Sequence, residues 1–145
     1  MGIAIDSSDS IYVLDMHRIL KVTVTLDGDV KVVAGSGAKG FVNGFGESAR
    51  FSTPWALTFG SDGYLYVPDL DNDCIRKVDI TTTEVMTYAG ICQTSGAVNG
   101  LTTNATFDNP IAIAAAADNV FYASYVLRNV TDGPQGQRLR KIYTA

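Results

Sequence analysis

Val42-Asn43-Gly44, followed by Ala49, Phe51 and Pro54, returns 56 residues later as Val98-Asn99-Gly100, Ala105, Phe107 and Pro110. The text around this block repeats too. Asp9-Ser10-Ile11-Tyr12-Val13-Leu14-Asp15 matches Asp62-Gly63-Tyr64-Leu65-Tyr66-Val67-Pro68-Asp69, and more loosely Asp118-Asn119-Val120-Phe121-Tyr122-Ala123-Ser124. Ile19-Leu20-Lys21-Val22 matches Ile75-Arg76-Lys77-Val78 and Leu139-Arg140-Lys141-Ile142. A period this long means stacked units, none of which buries a core by itself.

The totals exclude several classes of function. The chain has 145 residues, enough for one domain or a short array, and a hydrophobic fraction of 46% supplies a core. The charged fraction is 18% and the net charge −4, with no clustered Lys and Arg to neutralise phosphates, so nucleic acid is not expected as a partner. The apolar run Ile111 to Ala117 is far too short to cross a bilayer, so no membrane insertion is expected. Met1 to Asp6 lacks the basic start and apolar stretch of a signal peptide, and Asp6 argues against myristoylation of Gly2. Met1 falls one place after a repeat's closing proline, as expected of a piece of a longer chain.

Each copy reads as four short strands rich in Val, Ile, Tyr and Thr. The first gives 2–6, 10–14, 19–25 and 30–34; the second gives 56–59, 64–67, 74–80 and 84–89. Val30, Val32 and Ala34 are expected on one strand face, with Lys31 and Val33 on the other. Asp27-Gly28, Asp62-Gly63 and Thr81-Thr82-Thr83 are turn text. Residues 111–117 favour helix by alanine content, but their register with Ala56-Leu57-Thr58-Phe59 predicts an inner strand.

Four-stranded units at this period predict an all-β fold of β-propeller blades. Pro54, Ala56, Leu57, Phe59, Gly63, Leu65, Tyr66, Val67, Asp69, Asn72, Ile75, Arg76, Lys77, Val78, Val85, Thr87, Ala89 and Gly90 carry a pattern that resembles the NHL-repeat family. The resemblance covers essentially the whole chain; it is specific for fold and unspecific for ligand. It implies blades at 1–54 and 55–110, and a third at 111–145 without its outer strand, eleven strands in all. The third copy inserts 127–137 between two strands and has Tyr125 where the Asp belongs; in the first, Leu20 replaces the Arg.

Propellers have four to eight blades, so fewer than three cannot close a ring. Three resolutions are expected, in this order: a piece of a longer propeller, a dimer completing a six-bladed ring, and a head-to-tail filament.

The polar residues at repeat positions are Asp15, Asp69, Asn72, Arg76 and Arg140. Their expected role is structural. The Asp and Asn bond local backbone and hold the hairpin, and one of each Arg-Lys pair lies between blades against a carboxylate or carbonyl. Asp69-Leu70-Asp71-Asn72-Asp73 starts like a calcium loop, but Cys74 and Ile80 stand where Gly and Glu are required, which excludes an EF-hand. His17 is the only histidine and reads as an ordinary loop residue, against a multi-histidine zinc site. No catalytic residue, metal site or cofactor is assigned.

If 74–80 and 84–90 form a hairpin about Thr82, Cys74 sits opposite residue 90, two residues from Cys92, and a disulfide is geometrically feasible. The alternative is two free thiols. Asn104-Ala105-Thr106 and Asn129-Val130-Thr131 are N-glycosylation sequons in expected loops. Together with a bridge they favour a secreted or lumenal location.

The expected function is a non-enzymatic interaction or structural module, facing protein or glycan. Its partner is another protein or a second copy of the chain. Tyr125, Arg128, Asn129, Asp132 and Gln135, in and beside the inserted loop, are the expected contact residues, together with the Asp69–Asp73 turn. The chain also resembles six-bladed lyases and lactonases, so the alternative is part of such an enzyme with its site on other blades. An RNA-binding propeller is disfavoured by the acidic balance.

Overall fold

The computed structural model describes residues 2–23, 28–117, 120–126 and 137–143. Among these, twelve strands occur: β1 (Ile3–Ile5), β2 (Ile11–Asp15), β3 (Arg18–Val22), β4 (Val30–Ala34), β5 (Gly44–Phe45), β6 (Thr58–Phe59), β7 (Leu65–Asp69), β8 (Cys74–Val78), β9 (Glu84–Ala89), β10 (Pro110–Ala115), β11 (Phe121–Val126) and β12 (Gln137–Ile142). They form three antiparallel sheets, ordered β1-β2-β3-β4, β5-β9-β8-β7-β6 and β10-β11-β12. The edge strand β6 touches both β1 and β10, so the three sheets radiate from their first strands.

Two sequence expectations need correction. The second sheet has five strands, because Gly44 and Phe45 of the linking segment pair with Val85 and Glu84 on its outer edge. In β4 the expected alternation fails. The β3–β4 ladder shifts register between Ile19 and Leu20, so Val33 and Ala34 are both buried while Val30 is exposed. The alanine-rich segment is a strand from Pro110 to Ala115, held by pairing with β11 against its helical propensity.

Alternation builds the contacts between sheets. Tyr12, Leu14 and Ile19 of the first sheet pack against Leu65, Val67, Val78 and Val85 of the second, with Ala49 and Phe51 from the connector closing the cluster. The other face of the second sheet presents Tyr66, Ile75 and Ala89 to Phe121, Ala123, Tyr125 and Ile142, again with a connector phenylalanine, Phe107. Tyr66 packs on Tyr88 and Phe121 with ring centroids 4.7 and 4.1 Å apart. Each interface thus contains one sheet's front, the next sheet's back and the connector between them.

Candidate functional site

The polar residues at repeat positions converge on the connectors. Arg76 and Asp69 are fully buried and form an ion pair at 2.8 Å. The Asp69 carboxylate also accepts from the Ser52 N–H at 2.6 Å and the Asn72 side-chain amide at 2.7 Å. Arg76 donates to the carbonyls of Arg50 and Val42, both at 3.1 Å, and to Asn43 Oδ1 at 2.6 Å. Asn72 donates to the Gly40 carbonyl at 2.9 Å. Phe41 and Phe51 flank the guanidinium at 4.9 and 5.2 Å. Burial pushes the Asp69 carboxyl up and the Arg76 guanidinium down, against the pull of the pair itself. The three side chains therefore form a latch to residues 40–52, longer in reach than the local hairpin bonds expected from sequence.

The third sheet repeats the latch with altered chemistry. Arg140 donates to the carbonyls of Val98 (3.2 Å) and Thr106 (2.7 Å), 56 residues beyond those of Val42 and Arg50. Its second nitrogen donates to the Tyr125 hydroxyl at 3.2 Å, where the second sheet has a carboxylate. In the first sheet, Asp15 pairs with Arg18 at 2.7 Å on the surface. His17 is more than a loop residue: its Nδ1 accepts from the Thr53 N–H at 3.1 Å, tying the β2–β3 turn to the end of the connector.

The acidic turn disperses its carboxylates. Asp69 faces the latch, Asp71 accepts from Lys39 (2.8 Å) and Thr53 (2.7 Å), and Asp73 accepts from the Asn109 N–H. Among the described residues no group of three His, Cys, Asp or Glu is placed to hold a metal ion. Cys74 and Cys92 are joined in a disulfide. Asn104 is exposed in a turn, and the hydroxyl of Thr106, in the same sequon, accepts from the Val98 N–H at 3.0 Å. Arg128, Asn129, Asp132 and Gln135 lie outside the described residues; Tyr125 is buried at the latch.

A second repeated trio was missed in the sequence. Tyr66 donates to Asp62 at 2.8 Å and Lys77 pairs with it at 3.0 Å; Tyr12 and Lys21 treat Asp6 in the same way, at 3.0 and 3.8 Å. The signal was present: Asp6 precedes Asp62 by the repeat length of 56. Asp9 aligns better in the local text and concealed it.

Two sheet faces are left open. On the back of the first sheet, cross-strand pairing aligns Ile3, Val13, Leu20 and Val32 in one row and Ile5, Ile11, Val22 and Val30 in the next. Ile3 and Ile5 are 64% and 59% exposed. On the front of the third sheet, Tyr122 and Leu139 stand where Tyr66 and Ile75 stand in the second. They are 39% and 73% exposed, against 1% and 0% for their counterparts.

No family model matches the chain. An auxiliary nutrient-binding protein of Bacteroides thetaiotaomicron is 29% identical with a TM-score of 0.72, over 83% of this chain and 33% of that one. A streptogramin B lyase matches in fold at 18% identity and a TM-score of 0.53, over 99% of this chain and 40% of that one. The chloroplastic protein Suppressor of quenching 1 of Arabidopsis thaliana is 32% identical over 86 residues, 58% of this chain and 8% of that protein. The chain therefore spans a minor part of each. With the three antiparallel sheets, these neighbours make the fold an all-β, propeller-type array.

Proposed function

We propose that the chain is a set of NHL-type propeller blades that works by contact rather than catalysis, as an interaction or structural module facing protein or glycan. The observation that carries this reading is the pair of open faces. Each carries, at repeat-equivalent positions, the side-chain types that form the internal interfaces. A front like that of Tyr122 and Leu139 fits a back like that of Ile3 and Ile5. The partner is thus another blade of the same kind, from a longer chain or from a second copy joined front to back. The disulfide, the exposed Asn104 sequon and the nutrient-binding role given to the Bacteroides neighbour support a secreted or lumenal setting.

Light scattering of the 15.5 kDa chain, alongside Leu139→Asp, tests this. The expected result is a discrete dimer that the substitution returns to monomer. An open-ended polymer would assign the same contact to a filament, and a poorly folded monomer to a longer propeller. A well-folded monomer at high concentration, with Tyr122 and Leu139 still open to solvent, would sink the reading.

A further inference from the structure

Among the described residues no strand lies beyond β12, yet the structure that flanks such a strand in the second sheet is already in place. In that sheet β9 fills a slot between β8 and β5: Val85 pairs with Val78 on one side and Gly44 on the other. The corresponding walls in the third sheet are β12 and the segment at Gly100 and Leu101. Between them runs a groove of about 450 Å³, lined by Gly100, Leu101, Ala105, Phe107, Arg140 and Ile142.

The groove has the same frame as the filled slot. Gly35 N–H donates to the Gly46 carbonyl at 3.0 Å, and Gly90 N–H to that of Thr102 at 2.8 Å. Arg50 N–H donates to the Val42 carbonyl and Thr106 N–H to that of Val98, at 3.0 and 3.1 Å. Arg140 braces its connector through the carbonyls equivalent to those that Arg76 holds. The walls stand in position without the strand they would enclose.

We propose that this groove is a strand-acceptor site, which takes an extended segment of a partner protein antiparallel to β12. The fold shows what such a segment must carry. Both strands that occupy this place, β4 and β9, read valine, three residues, alanine, then glycine: Val30 to Ala34-Gly35 and Val85 to Ala89-Gly90. Ala34 and Ala89 are fully buried opposite Ile19 and Ile75. The glycines have φ of +95° and +96°. A Cβ on Gly35 would lie 2.4 Å from the His17 carbonyl oxygen, and one on Gly90 would lie 2.9 Å from the Phe107 ring. In the same register the incoming valine faces Ile142 and Gly100, and the alanine faces Leu139. Main-chain pairing supplies the binding and the alternate side chains the selectivity.

This site lies on the rim and shares no step with the blade-face contact proposed above, so either can fail alone. A labelled peptide with the sequence of residues 82–91 is titrated into the full chain by fluorescence anisotropy, and hydrogen exchange maps the bound state. Saturable one-to-one binding is expected, with slowed exchange at 138–142 and 100–102. Replacing the peptide's alanine by tryptophan should weaken binding about tenfold or more, since the buried position has no room. Three results overturn the proposal: no saturation up to about 1 mM peptide, protection confined to the open sheet faces, or equal binding of the tryptophan peptide.

Discussion

Replacing Asp69 by alanine strands a fully buried guanidinium. Arg76 loses its ion-pair partner at 2.8 Å but keeps the carbonyls of Arg50 and Val42 and the amide oxygen of Asn43. Breaking a buried pair by removing one partner costs about 3–5 kcal/mol. The three remaining acceptors argue for the low end of that range. Against this, the Ser52 N–H and the Asn72 amide also lose their acceptor, at roughly 1 kcal/mol each. The expected loss is therefore about 4 kcal/mol, a large part of the roughly 5–15 kcal/mol that holds a domain folded. It corresponds to a fall in melting temperature of roughly 10 °C or more for a chain of this size. Urea unfolding of Asp69→Ala, Arg76→Met and the double variant forms a double-mutant cycle. The methionine keeps apolar contact with Phe41 and Phe51, so the double variant should recover stability relative to Asp69→Ala, with a coupling of about 2 kcal/mol. A loss below about 1 kcal/mol for Asp69→Ala, or strictly additive effects, would refute the view that these residues act as one latch.

Two further outcomes follow from the same structure. The Cys74–Cys92 bridge spans 18 residues, so replacing both cysteines by serine should cost about 3 kcal/mol through the freed loop; an unchanged melt under reducing conditions would contradict this. Burial pushes the Asp62 carboxyl up, but bonds from Lys77, Tyr66 and Tyr64 outweigh it and hold the group below its ordinary value. The unfolded chain then binds that proton more readily than the folded one, so the contribution is fully present above about pH 4 and is lost as the pH falls further. Asp62→Asn should flatten the acid limb of a stability–pH profile, and an acid slope identical to that of the parent chain would count against the assignment.

The repeat made the blades legible because each strand's face is set by a two-residue period, and the period survives substitution. Ile19, Ile75 and Leu139 could be equated before any coordinate was known. Less legible was whatever depends on register irregularity or on contacts distant in sequence. The shift between Ile19 and Leu20 buries Val33 beside Ala34, and no count of alternating residues reveals a bulge. Gly44 and Phe45 read as loop because two residues are too few to show a period, yet they extend the second sheet. The polar positions were legible as structural, but their partners were not. Gly40, Val42 and Arg50 contribute main-chain carbonyls, which leave no mark on sequence.

Tyr125 shows what the latch requires. An Asp-to-Tyr change at a buried ion pair would ordinarily strand the arginine, yet Arg140 keeps both connector carbonyls and adds the phenol. The difference between the two sites is burial. Arg76 is wholly enclosed by β9 and the connector, so its charge needs a carboxylate at contact distance. Arg140 is only half-buried beside the open groove, where solvent reaches its charge and a neutral hydroxyl suffices. The carbonyls are common to both sites and the carboxylate is not. The shared element is therefore the clamp on the connector, and the counter-charge is an addition required where the fourth strand shuts water out.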